Sequence, residues 1–193
     1  LLDTDMSISA STTFKAASEA YIEAKSNILS PSTIRGYKQI LKNIPDKFMN
    51  TQVAMINKPM LQSEINRFSL NHAPKTVRNY SGLIMSVLFF YGKEIKGITL
   101  PQKEKKTPYI PTKEEVSAIF NEIKGSQFEV PIMLAACGLR RSEICALTLD
   151  DLNGNVLTIN KAHVKTIDRE WVIKPTKTTD STRTIAIPDY VDS

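Results

Sequence analysis

Residues 97–111 read Gly-Ile-Thr-Leu-Pro-Gln-Lys-Glu-Lys-Lys-Thr-Pro-Tyr-Ile-Pro, and this stretch divides the chain. Three prolines and the charged run Lys103 to Lys106 stand between periodic segments, the pattern of an interdomain linker. We place the linker at 97–110, between a unit at 12–96 and another at 111–193. The chain has 193 residues, 41% hydrophobic and 23% charged, enough for one fair-sized core or two small ones.

Upstream of the linker the periodicity is helical. Phe14, Ala17, Tyr21, Ala24 and Ile28 step by three and four, predicting one face of a helix that ends near Leu29. Ser30-Pro31 then reads as an N-cap followed by the first helical position. The helix it opens has Ile34, Tyr37, Leu41 and Ile44 on its apolar face, and Arg35, Lys38 and Lys42 on another. Leu61, Ile65 and Phe68 mark a third helix. A fourth runs from Pro74 through Val77, Ile84, Val87 and Leu88 to Gly92, with Lys75 and Arg78 in its first turn. His72, at the break between the third and fourth, is read as a surface or capping residue. Four helices in this span predict an all-helical unit.

Charge is distributed unevenly. Residues 1–100 hold 12 Lys or Arg against 7 Asp or Glu, whereas residues 101–193 hold 13 of each, so the net charge of +5 belongs to the first half. Such an excess is compatible with a polyanion partner, and the Arg35/Lys38/Lys42 stripe fits phosphate contacts as well as a solvated face. No run approaches the ~20 apolar residues that span a bilayer, and the N-terminus LLDTDMSISAS lacks the build of a signal peptide. Asn79-Tyr80-Ser81 spells a glycosylation acceptor without that secretory context. Cys137 and Cys145 form neither a disulfide framework nor a four-ligand zinc pattern, which fits a reducing cytoplasm with both thiols packed as small apolar groups.

Downstream, Thr112-Lys113-Glu114-Glu115 is a capping box opening a helix with Val116, Ile119, Phe120 and Ile123. Gly125 ends it. The segment PIMLAAC, apolar all round, predicts a buried helix closed by Gly138, and a further helix begins within RRSEICAL. After the Asn153-Gly154 turn, VLTIN, REWVIKP and TRTIAIP read as three strands, with TKTTDS as the tip joining the last two. The fold class expected is mainly α, and α+β overall, with a small antiparallel sheet in the second half.

Two constellations carry chemistry. In Gly138-Leu139-Arg140-Arg141-Ser142-Glu143 a guanidinium stands at a helix start, where Arg140 or Arg141 can fork onto a phosphate and Glu143, three residues on, can hold Arg140. Lys177 sits among Thr176, Thr178, Thr179 and Ser181 at the predicted hairpin tip, and a lysine so placed can protonate a leaving oxygen. Each also has a plain reading, as a surface Arg-Glu pair and a solvated turn lysine. Neither GxGxxG nor GxxxxGK[ST] is present to support a nucleotide-binding metabolic enzyme.

The order of these parts resembles the tyrosine recombinases, the phage- and transposon-type integrases: a helical basic unit with SPSTIRGY, a linker, PYIPTKEEVSAIF, GLRRSE, and KTTDSTRTIAIP. The resemblance implies that 12–96 is a core-binding (SAM-like) DNA-binding domain and 111–193 the N-terminal part of a catalytic domain. It implies Arg140 and Lys177 as catalytic residues, on the scissile phosphate and as general acid toward the 5′-hydroxyl, and Glu143 as the supporting acid. Arg35, Lys38, Lys42, Lys75, Arg78, Arg141 and Arg183 become DNA-binding candidates, and Lys174 a DNA-contact or surface residue. The implied reaction is DNA cleavage and religation through a 3′-phosphotyrosine, with no metal or other cofactor. The implied partner is double-stranded DNA, bound as a homo-tetramer by the whole protein, and this segment is expected to be monomeric when free. The chain departs from the pattern at its end. His72 and His163 are not followed by Arg three residues later, and Tyr190 falls too early to be the nucleophile, so we read it as a packing residue. We therefore expect an excerpt of a longer bacterial protein, inactive in cleavage by itself. The alternative is a recombinase-like chain that binds DNA without cutting it.

Overall fold

Thr13 is extended and starts a helix because its hydroxyl accepts from the Ala16 amide at 3.3 Å. In the computed structural model, which describes residues 11–103, 107–166, 170–176 and 181–187, this is α1 (Phe14–Ala24). The chain divides into two units, Leu1–Lys106 and Thr107–Ser193.

In the first unit α1 buries Phe14, Ala17, Ser18, Tyr21 and Ile22. Its apolar stripe stops short of the expected end. Ser26 bonds back to Glu23 and Ile28 to Lys25 in three-residue turns, which rotates Ile28 out to 82% exposure. Ser30 caps α2 (Pro31–Leu41) by accepting from the Thr33 amide, with Pro31 in the first turn. Ile34, Tyr37, Ile40 and Leu41 lean on the core from α2. Pro45 precedes the one-turn α3 (Asp46–Met49), whose Phe48 meets the Phe14 ring edge-on at 5.2 Å. Asn57 caps α4 (Lys58–Ser69), and α5 (Pro74–Phe90) closes at Gly92, whose φ of +71° lets Lys93 N–H reach the Leu88 carbonyl. Four of these five helices are the predicted ones.

The core joins Phe14, Val53, Ile56, Leu61, Ile65, Val77, Ile84, Val87 and Leu88, all essentially without exposure. Burying each such side chain stabilises the fold by about 1.5–3 kcal/mol. A charged residue lies among them. The Glu64 carboxylate accepts from Arg67 Nε at 3.0 Å and Nη2 at 2.6 Å, and from the Tyr80 hydroxyl. Tyr80 stacks on Phe68, which stacks on His72, each at 3.8 Å between ring centres. His72 Nδ1 lies 2.9 Å from the Phe68 carbonyl oxygen, a capping position at the end of α4.

The proline-rich stretch begins as part of this unit. Ile95, Ile98 and Leu100 pack on the helical core. The Gln62 amide pairs with both backbone groups of Thr99, at 2.8 and 3.0 Å, and Arg78 Nη2 donates to the Pro101 carbonyl at 2.7 Å.

In the second unit the Thr112–Glu115 capping box opens α6 (Lys113–Ile123), reinforced by the Tyr109 hydroxyl on Glu115. Its expected apolar stripe is present, but none of it is buried, and Ile119 is 45% exposed. The apolar helix α7 (Glu129–Ala136) corrects a second expectation, since it buries only Leu134. The one-turn α8 (Arg141–Ile144) follows. Leu134, Leu139, Leu157, Ile159 and Ile187 form a small core, with Cys137 against it, while Cys145 is exposed rather than packed.

The strands are β1 (Leu152–Asn153), β2 (Val156–Ile159), β3 (Lys161–Lys165), β4 (Trp171–Pro175) and β5 (Arg183–Ala186). Gly154, at φ +58°, turns β1 into β2. β2 pairs with β1 and β5, and β3 with β4, all antiparallel. The expected hairpin between REWVIKP and TRTIAIP is therefore not formed. β4 pairs instead with a strand not foreseen, KAHVK, and beyond the last pair Thr166 N–H bonds Glu170 O at 2.8 Å. Trp171 lies opposite Lys165, whose ammonium sits 5.3 Å from its ring centre, and 4.9 Å from the His163 ring.

Replacing Arg67 with Met leaves Glu64 short of its charged partner. Urea denaturation should show a loss of about 1–3 kcal/mol, and an unchanged midpoint would remove the ion pair from the account of this core.

Candidate active site and nucleic-acid interface

Gly138, at φ +86°, ends α7 and turns the chain so that Leu139 enters the small core while Arg140 stays outside. Arg140 is extended, and its backbone N–H is satisfied by Glu143 Oε2 at 2.9 Å. The same carboxylate receives Arg140 Nη1 at 2.7 Å on Oε1. The expected Arg140–Glu143 pair is therefore formed, with the two ends unlike: the Glu143 side chain is 3% exposed, that of Arg140 66%. The helix behind Arg140 is shorter than expected for an anion-binding helix start. With four residues its dipole is small, and the positive charge here is that of the guanidinium groups.

Glu143 has a second cation, which sequence spacing does not reveal. Arg183, 40 residues on in β5, donates from Nη2 to Oε2 at 2.9 Å and from Nη1 to Oε1 at 3.4 Å. Its guanidinium also reaches the Ser181 carbonyl at 3.2 Å and the Gly138 carbonyl at 3.4 Å. Burial pushes the Glu143 carboxyl up, and the bonds from Arg183 and Arg140 outweigh it, holding the group at about 2.

A parallel arrangement follows at once in the chain. Asp151 accepts from the Thr148 amide at 2.7 Å and pairs with Lys161 of β3 at 2.8 Å. The Lys161 bond, with those from Thr148, lowers its pKa against the opposing effect of burial.

Lys177 lies outside the described residues, as does Tyr190. Its neighbourhood is partly fixed. β3 pairs Lys161 with Pro175, and β2 pairs Ile159 with Arg183. The Thr176 and Thr182 hydroxyls meet at 2.9 Å, and Thr176 N–H bonds Asn160 O.

Arg35, Lys38 and Lys42 are exposed along α2, as are Lys75 on α5 and Arg141 on α8. Arg78 is half-buried and holds Pro101, with its Nε enclosed and without a hydrogen-bond partner. Lys174 is half-buried on β4. Among the described residues no group of three or more His, Cys, Asp or Glu is placed to hold a metal, and no helix is long and apolar enough to cross a membrane.

Comparisons with known proteins agree with the resemblance read from the sequence. Residues 13–69, from α1 through α4, match the family described as phage integrase, N-terminal SAM-like domain. The fold matches the Tn1549 transposon integrase solved in complex with transposon right end DNA, at a TM-score of 0.74 and 16% identity over 93% of this chain. It matches the same integrase in complex with a circular intermediate DNA at 0.75 and 17%, over 94% of this chain. The chain spans 62% and 63% of those solved chains. No curated protein sequence matches. The architecture is an integrase fold: a helical SAM-like unit followed by part of an α+β domain.

Because Glu143 has its pKa lowered from 4.5 to about 2, its ion pairs stabilise the fold fully above the ordinary value. That stability is lost as pH falls from 4.5 toward 2. Acid titration of Glu143→Gln should give a shallower decline across this window than the wild type. Superimposable curves would contradict the assignment.

Proposed function

We propose that this chain is part of a site-specific DNA recombinase of the tyrosine type, which binds duplex DNA through its helical unit and supplies Arg140 and Lys177 to strand cleavage and religation. The observation that carries the reading is the asymmetry of the Arg140–Glu143 pair on an integrase fold. A buried carboxylate fixes one edge of a guanidinium that is otherwise open to solvent. Such a cation is oriented before a phosphate arrives, so little reorganisation is needed when charge builds on the phosphorus oxygens.

In this reading Arg140 forks onto the scissile phosphate and Lys177 protonates the departing 5′-hydroxyl. A tyrosine supplied beyond these motifs forms the 3′-phosphotyrosine, and the reaction takes no metal or nucleotide. Arg35, Lys38, Lys42, Lys75 and Arg141 contact the DNA backbone. Arg78 and Arg183 are occupied by protein acceptors. The whole protein acts as a tetramer on paired sites, in the bacterial cytoplasm.

Fluorescence anisotropy of this chain against labelled duplex DNA should show affinity falling with salt. The Arg35/Lys38/Lys42-to-Ala variant should have a shallower slope, by roughly 0.9 for each phosphate left without its cation. Absence of binding at low salt would overturn the DNA-binding role. In the full-length chain, Arg140→Ala and Lys177→Ala should each slow cleavage by about a hundredfold or more while leaving affinity nearly unchanged. Cleavage at the wild-type rate would remove the role assigned to that residue, and tight binding by a full-length chain that never cuts would favour a non-catalytic binding protein.

A further inference from the structure

We infer that residues 95–101 form a strap whose end, Thr99 to Pro101, is latched to the helical unit by Gln62 and Arg78, and that a DNA phosphate taking the Arg78 guanidinium opens the latch. This goes beyond the recombinase reading and rests on its DNA-binding part. Packing holds the body of the strap, since Ile95, Ile98 and Leu100 lie against the helical core. Two polar side chains hold its end. The Gln62 amide stands in for a neighbouring strand: its Oε1 accepts from Thr99 N–H at 2.8 Å, and its Nε2 donates to the Thr99 carbonyl at 3.0 Å. A bond from Nε2 to Asn66 Oδ1 at 2.9 Å steadies that amide along α4. Two residues further on, Arg78 Nη2 donates to the Pro101 carbonyl at 2.7 Å.

The unused donor of Arg78 makes this a latch. Nε and Nη2 form one edge of the guanidinium, an edge that meets two oxygens of a phosphate or carboxylate through parallel N–H bonds. The Pro101 carbonyl brings a single oxygen to Nη2, and Nε is enclosed without an acceptor. A buried donor left unmet weighs against the latched form. A phosphate satisfies both nitrogens, and it reaches the enclosed edge when the carbonyl on that edge moves away. Lys75, exposed one turn earlier on α5, adds a second cation to draw the anion in. Each residue freed adds up to about 3.5 Å to the connection that leads to the second unit. The first unit therefore holds the strap until it is on DNA, and the second gains reach afterwards.

The test uses the intact 193-residue chain and labelled duplex DNA. Gln62 is outside the proposed DNA contacts, so Gln62→Leu weakens the latch alone. Coupling is reciprocal: if DNA opens the strap, an opened strap favours DNA. We expect Gln62→Leu to bind duplex DNA about fivefold more tightly than wild type. In an Arg78→Met background, which lacks both the Pro101 bond and the phosphate fork, the same change should alter affinity by less than about twofold. Affinity unchanged or lowered in Gln62→Leu overturns the proposal, as does a gain of equal size without Arg78.

A second readout needs no variant. Hydrogen exchange at the Thr99 amide of the wild type, followed by NMR, should speed by about fivefold or more on saturating DNA, while the Ile65 and Ile84 amides of the helical core do not speed. Slowed or unchanged exchange at Thr99 overturns the latch opening. If the chain binds no duplex DNA even at low salt, the DNA-binding reading has failed and opening by phosphate falls with it. The latch itself is then read in the free chain, where Arg78→Met should speed Thr99 exchange by about fivefold or more, and an unchanged rate removes Arg78 from it.

Discussion

A carboxylate taken out of water must be met by donors from the protein, because leaving a charge buried and unpaired costs several kcal/mol. The second unit is arranged around this constraint. Glu143 in α8 and Asp151 in the single 3-10 turn Leu149–Asp151 each stand at the third position of their turn, and each receives the backbone amide of the residue before it, Arg140 and Thr148. Each then takes a cation from a strand, Arg183 from β5 and Lys161 from β3. Local capping thus becomes tertiary structure, since the same oxygens that finish a helix turn fasten the ladder to it. The arrangement also leaves Arg140 with one edge held and the remainder facing outward.

The two units solve burial differently. The first has an extensive core in which, among the described residues, one carboxylate is buried, Glu64, paired on the spot by Arg67 and Tyr80. The second buries few apolar side chains, and Ile119, Phe128, Val130, Leu149 and Ile173 remain open. Its specific geometry therefore rests more on hydrogen bonds and ion pairs than on close packing. Such interactions are directional, which suits a site where a guanidinium must point one way.

The signals legible in the sequence are those that act within one turn. Thr112 and Glu115 satisfy each other, Ser30-Pro31 opens a helix, and Gly92, Gly125 and Gly138 adopt positive φ at helix ends, so all of these appear where spacing puts them. The Arg140–Glu143 pair belongs to the same class. What the sequence hides depends on pairing across distance. VLTIN, REWVIKP and TRTIAIP do contain strands, but periodicity does not say which strands meet, and KAHVK carries two lysines and a histidine that mask its alternation. The partnership of Arg183 with Glu143 spans 40 residues and follows from the β2–β5 register. Ile28 fails for a local reason, since turns after Ala24 change the angular step on which its stripe relied.

The placement of Trp171 has an optical consequence. It is the single tryptophan of the chain, on β4, 55% exposed and beside Lys165 and His163. Its emission reports on the strand-bearing unit alone, whereas most helical residues, and hence most of the far-ultraviolet dichroism, belong to α1 through α5. Melting curves from the two signals coincide only when both units unfold in one cooperative step. Native aromatic composition has therefore given each unit its own spectroscopic label.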